Sequence, residues 1–130
     1  MIKKLLCIDD DETTLMLIKL VVEKAAFAKE VITKSSGQEA LEYYRALSDK
    51  SVETDYPELI FLDLNMPVMS GWEFLEEFIV KYYPSLNNTK VLILSSSTNP
   101  VDKTKAQQYP IILGYIPKPI TVDLLKKLFT

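Results

Sequence analysis

The chain contains no histidine and only one cysteine, Cys7, among its 130 residues. Lack of imidazole removes the commonest general base and the commonest transition-metal ligand, and it rules out phosphohistidine chemistry on this chain. A single thiol rules out an intrachain disulfide framework and a thiolate metal site. Cys7 lies inside the apolar run Leu5-Leu6-Cys7-Ile8, so its expected role is core packing. No apolar run approaches the roughly 20 residues of a membrane span, and the N-terminus enters a strand-like pattern almost at once instead of a signal-peptide layout. A soluble cytoplasmic protein is the expectation. An excess of basic charge is also missing, with 15 Lys+Arg against 18 Asp+Glu and a net charge of -3. No basic stripe could track a phosphate backbone, so neither nucleic acid nor membrane is an expected partner. Low-complexity tracts and internal repeats are absent.

At 48% hydrophobic content the chain has enough apolar material for one sizeable core and no second domain. Short apolar runs alternate with amphipathic stretches of helical period. The pattern predicts strands over 1–8, 30–33, 58–62, 90–94 and 111–116, and helices over 12–28, 37–47, 72–83, 101–108 and 122–129. Asp11 or Thr13, Ser36 and Thr121 are candidate helix caps, because short polar side chains satisfy the free N–H groups of a first turn. Segments 48–57 and 84–88 read as loops. The predicted helix over 101–108 is the least apolar of the set and the readiest to move. Five strand–helix units joined by right-handed crossovers make an α/β domain, a doubly wound five-stranded parallel sheet of flavodoxin-like order 2-1-3-4-5.

Polar residues of particular kinds stand directly behind the apolar runs. Asp9 and Asp10 follow the first, Asp63 the third, Ser95 the fourth and Lys118 the fifth. In an open parallel sheet the carboxyl ends of the strands share one edge, where ligands bind. Three carboxylates, a hydroxyl and an ammonium are therefore expected in one cleft. Clustered carboxylates repel and take up protons unless a cation sits among them, and an all-oxygen set favours a hard divalent ion such as magnesium (Mg2+). The expectation is a metal-assisted phosphate site.

The motifs Ile8-Asp9-Asp10, Leu62-Asp63-Leu64-Asn65-Met66-Pro67 with Ser70-Gly71, Leu94-Ser95-Ser96 and Tyr115-Ile116-Pro117-Lys118-Pro119 occur in order at strand ends. With them the chain resembles the receiver domain of two-component response regulators, of the stand-alone type seen in chemotaxis, over essentially its whole length and without an output domain. The resemblance implies that Asp63 accepts a phosphoryl group, and that Asp10 and Asp63 bind Mg2+ directly, Asp9 through water and Asn65 through its backbone carbonyl. It further implies that Lys118, before a proline in cis, pairs with Asp63 or with a phosphoryl oxygen. Ser95 would donate its hydroxyl to that group and draw the following loop inward, letting Tyr115 turn from exposed to buried. An output surface containing Lys103, Tyr115 and Ile120 follows from the same resemblance. The implied partners are a sensor histidine kinase or histidine phosphotransfer protein and a downstream protein target, with room for a weak or phosphorylation-dependent homodimer.

Other readings stand beside this one. Asp11 fits a simple helix cap better than a ligand, and Tyr115 could be ordinary strand-end packing. Trp72 is expected to pack at the start of its helix. A degenerate receiver serving as a constitutive interaction module would need the acidic set to have lost metal binding. An aspartyl-phosphate phosphohydrolase of the haloacid dehalogenase kind requires a second acid two residues past the nucleophile, where this chain has Asn65. Pro117 removes a backbone donor, which suits an edge strand.

Overall fold

The computed structural model describes residues 2–49, 56–83, 88–96 and 99–128. Its elements alternate strictly: β1 (Ile2–Ile8), α1 (Glu12–Lys24), β2 (Ala28–Lys34), α2 (Gly37–Asp49), β3 (Leu59–Leu62), α3 (Gly71–Lys81), β4 (Lys90–Ser95), α4 (Pro100–Ala106), β5 (Ile112–Pro117) and α5 (Val122–Leu128). The strands form one parallel sheet in the expected order β2-β1-β3-β4-β5. Alternation along each strand divides the core between its two faces. Leu6, Ile8, Ile60, Leu62, Val91 and Ile93 point to the side covered by Ala40 and Tyr44 of α2, Phe74 and Phe78 of α3 and Ala106 of α4. Leu5, Cys7, Leu59, Phe61, Leu92 and Leu94 point to the side covered by Leu15, Ile18, Val21 and Val22 of α1 and Leu125 of α5. Cys7 is fully buried in that second layer, and burial first, then the charge of Asp9, pushes its thiol pKa up. It is packing material, as expected.

The helix starts follow the capping residues read from the chain. Asp11 accepts from the Thr13 N–H, Ser36 Oγ from the Glu39 N–H, and Thr121 Oγ1 from the Leu124 N–H. Ser70 and Glu73 form a reciprocal capping box at α3, starting that helix one residue before the predicted position. Asn99 caps α4 with Pro100 in its first turn, so α4 begins at Pro100 and ends at Ala106. Pro117 lies inside β5, paired opposite Ser95, and β5 is an edge strand whose missing donor faces no partner strand. The predicted loop between α2 and β3 falls largely outside the described residues, as do 84–87 and 97–98.

The ends of α1 and β2 depart from the predicted boundaries. α1 stops at Lys24 instead of running to 28, because the Ala26 N–H donates to the Glu23 carbonyl and the Phe27 N–H to the Val22 carbonyl, closing a Schellman turn. Ala26 has φ 50°, a left-handed conformation that normally selects glycine, so nothing in Ala25-Ala26 signals a stop. The early stop frees residues from 28 on to pair with β1, giving β2 seven residues. Ala26→Gly is expected to stabilise the protein by about 1 kcal/mol, since Ala26 is exposed and only its Cβ opposes the turn. An unchanged or lower urea midpoint would overturn this.

Candidate functional site at the carboxyl edge of the sheet

The sheet order reverses between β1 and β3, and backbone hydrogen bonding to the neighbouring strands fixes the acidic residues there. The Asp63 N–H donates to the Ile8 carbonyl at 3.0 Å and the Asp9 N–H to the Lys34 carbonyl at 3.1 Å, each strand's last pairing carried one residue into the loop. Asp9 and Asp63 are buried, at 2% and 5% exposure, while Asp10 is exposed. One carboxylate oxygen from each of the three lies within 4.8 Å of the others. This donor set, all oxygen and part-buried, suits a hard divalent cation with water completing its shell. Asp11 stands apart: its carboxylate accepts from Thr14 Oγ1 at 2.9 Å and from the Thr13 N–H at 3.1 Å, contacts that lower its pKa, so it serves the helix.

Lys118 enters the cluster from the far side. Its Nζ lies 2.6 Å from Asp9 Oδ2 and 3.3 Å from Asp63 Oδ1. The implied pair with Asp63 is present, and a shorter contact to Asp9, which the sequence did not indicate, stands beside it. The Lys118–Pro119 peptide is cis, and the Lys118 N–H donates to the Ser95 carbonyl at 3.0 Å. Burial works against the ammonium, but Asp9 and Asp63 outweigh it and raise the Lys118 pKa. Asp63 is affected in the opposite sense. Burial, and next the charge of Asp9, push its pKa up to about 6, only partly countered by Lys118 and by the Asn65 N–H at 3.3 Å from Oδ1. Electrostatically, the centre holds more negative charge than one lysine neutralises.

Ser95 ends β4 with no exposure to solvent. Asn65 is exposed beside Asp63, in a loop where Met66 is buried and Val68 sits at φ 67° with the Met69 N–H donating back to the Pro67 carbonyl. A β-branched residue in the left-handed region is strained, and no feature of the sequence signalled it. Tyr115 is half-buried, with Lys103 Nζ 6.0 Å from its ring centre, and lines a groove of about 360 Å³ with Lys103, Gln107 and Leu113. Ile120, read as part of an exposed surface, is instead 4% exposed and packs in the α1–α5 core layer. It follows the Lys118–Pro119 turn, which carries it inward beneath α5.

Trp72 is the residue whose contacts could not be read in advance. Its indole Nε1 donates to Asp102 of α4 at 3.1 Å, a contact thirty residues distant. Among the described residues no helix is long and apolar enough to cross a membrane.

A family model described as the response regulator receiver domain matches residues 5–130. The chain is 36% identical to the alkaline phosphatase synthesis transcriptional regulatory protein PhoP of Bacillus subtilis over 58% of its length, but spans only 27% of that protein. It is 31% identical to the chemotaxis protein CheY of Thermotoga maritima over 72% of this chain and 68% of the relative. A crystal structure of a two-component response regulator from Cytophaga hutchinsonii superposes with a TM-score of 0.88 at 30% identity, over 98% of this chain and 94% of the other. With the family match running from β1 to the end of the chain and the same sheet in the matched structure, the chain belongs to the response regulator receiver family.

Proposed function

We propose that this receiver takes a phosphoryl group onto Asp63 from the phosphohistidine of a partner kinase or phosphotransfer protein, and then signals by binding another protein or passing the group on. The observation that carries this reading is the placement of Asp63: buried, within 4.8 Å of two other carboxylates, with an ammonium 3.3 Å from its Oδ1. A carboxylate oxygen of Asp63 would form the bond to phosphorus as the bond from phosphorus to the donor nitrogen breaks, the electron pair leaving with the donor imidazole. Such a transfer needs little covalent help from the protein and depends on position and charge.

Each neighbour has a part in that account. Asp10 and Asp63, Asp9 through water and the Asn65 carbonyl would hold a magnesium ion, which supplies neutralisation of charge on the phosphoryl oxygens. Lys118 would shift from its bridge between Asp9 and Asp63 to a phosphoryl oxygen, and the Ser95 hydroxyl would donate to another. Adding nearly two negative charges beside these donors gives the loop after β4 a reason to reorder, with Tyr115 as the side chain that responds. Met16 and Leu20, 66% and 55% exposed on α1, the helix that follows Asp9 and Asp10, offer apolar surface to a phosphodonor protein.

Intact-protein mass after incubation with acetyl phosphate tests the reading. One added phosphoryl group that requires magnesium and disappears in Asp63→Asn is expected; an adduct retained in that variant would move the acceptor elsewhere. Lys118→Ala is expected to slow phosphorylation by about 10²-fold, the scale on which a single preorganised charge partner acts. A rate within threefold of wild type at pH 7.5 would remove Lys118 from the chemistry.

A further inference from the structure

Helix α4 spans seven residues, and Ala106 alone among them is buried. So small an apolar contact fixes a helix weakly. Its hold on α3 comes from a polar and aromatic cluster instead. Trp72 Nε1 donates to Asp102 Oδ1 at 3.1 Å, Lys105 Nζ lies 4.7 Å from the centre of the Trp72 ring, and the Tyr109 ring stacks on the same indole at 5.8 Å and 25°. The Tyr109 hydroxyl donates to Glu76 of α3, one turn beyond Trp72. Asp102 and Lys105 belong to α4 and Tyr109 to the turn that follows it, so the contacts grip both ends of the short helix.

The other side of Trp72 leads to the acidic centre. Its neighbour Gly71 donates its N–H to the Leu64 carbonyl at 2.9 Å, and a Cβ built on Gly71 would meet the Asp63 carbonyl oxygen at 2.3 Å. Backbone this close cannot move independently. A shift of the Asp63 loop therefore reaches Trp72 through one rigid step, and α4 through one hydrogen bond and two ring contacts. Each of those contacts is modest and can be broken and remade.

We propose that Trp72, Glu76, Asp102, Lys105 and Tyr109 form a latch that holds α4 against α3 and transmits movement of the Asp63 loop to α4. The transmission half rests on the reading of Asp63 as phosphoacceptor; the holding half does not. The latch makes α4 the element whose local opening is set by side chains of α3, and it gives Trp72 a mechanical role beyond packing at a helix start.

Amide hydrogen exchange on the full chain, read by peptide mass, separates the two halves. In Trp72→Phe, which keeps a ring but removes the N–H, and in Asp102→Ala, peptides covering 100–106 are expected to exchange about tenfold or more faster than wild type, the scale of one lost charge-assisted hydrogen bond. Exchange in β1 and β3 should stay unchanged. Wild-type exchange in α4 of both variants would overturn the latch, and so would an equal acceleration throughout the sheet. Magnesium with beryllofluoride, a mimic of the phosphoryl group, should then speed α4 exchange in the wild type and add little in the variants. A full-sized further increase in both variants would overturn transmission through the latch. If wild type shows no response anywhere to beryllofluoride, the reading of Asp63 fails and transmission with it, while the first comparison still decides whether the cluster holds α4.

Discussion

Replacing Asp63 by asparagine is expected to raise the melting temperature of the metal-free protein at pH 7.5 by several degrees, while abolishing its phosphorylation. Burial and the neighbouring Asp9 raise the Asp63 pKa to about 6 in the folded chain, against about 3.9 for an unperturbed aspartate. A carboxyl whose folded pKa is the higher one holds its proton more tightly in the folded state. Its contribution to stability is therefore greatest at low pH, falls as pH rises from about 4 to about 6, and is a constant burden above that. A rise of that size corresponds to on the order of 1–3 kcal/mol once solvent reaching the site from its open side is allowed for. Lys118 opposes the burden but does not cancel it, because its shorter contact is with Asp9.

Asparagine keeps the oxygen that accepts from the Asn65 N–H and loses the charge. The difference between variant and wild type should accordingly shrink to nothing below about pH 4, where both are neutral at this position. Magnesium should stabilise the wild type more than the variant, by mass action on a site that has lost a carboxylate. Equal melting temperatures at pH 7.5 without metal would show that Asp63 is not strained by its neighbours, and would weaken the case that this cluster is built to hold a cation. Thermal unfolding across pH 4 to 8, with and without magnesium, measures all of this in one series.

The sheet and the acidic cluster at its edge were legible because both depend on patterns that survive in one dimension. β3 is Leu59-Ile60-Phe61-Leu62, buried on both faces, and a central parallel strand has no other way to look. Since parallel strands end on the same side, the polar residues that follow these runs had to meet, and the order 2-1-3-4-5 placed Asp9 beside Asp63. Local capping was equally readable at Asp11, Ser36 and Thr121. The contacts that could not be read depend on angle and distance between elements. Lys118 choosing Asp9 as its nearer partner is decided by about 0.7 Å between two carboxylates in one cleft. The Trp72–Asp102 bond depends on how α3 and α4 pack, and the left-handed Ala26 and Val68 carry no glycine or asparagine to announce them. Ile120 looked exposed because it follows Pro-Lys-Pro, a surface-like string whose turn in fact drives the next side chain into the core.

The largest stability effect is expected at Gly71, a position without any chemistry of its own. Gly71 opens α3 directly beneath the Asp63 loop. A Cβ there would stand 2.3 Å from the Asp63 carbonyl oxygen, 2.8 Å from Leu64 Cα and 3.1 Å from the Asp63 carbonyl carbon. All three are backbone atoms, so no rotamer change relieves the clash, and either the loop or the helix start has to move by about 1 Å. Gly37 differs: its added Cβ would meet the Met69 Sδ at 2.6 Å, the movable part of a flexible side chain. Gly114 differs again, with the Leu92 Cδ1 at 3.4 Å, an ordinary contact. Gly71→Ala is therefore expected to cost about 3 kcal/mol or more, Gly37→Ala about 1 kcal/mol, and Gly114→Ala less than that. In the fraction of Gly71→Ala that stays folded at low temperature, Asp63 is displaced relative to Asp9 and Lys118. Phosphorylation by acetyl phosphate should then fall by about 10²-fold, the cost of misplacing a reacting group by 1 Å. Urea midpoints ranked in any other order, or a Gly71→Ala protein phosphorylated at the wild-type rate, would show that the Asp63 loop is not held from beneath by the start of α3.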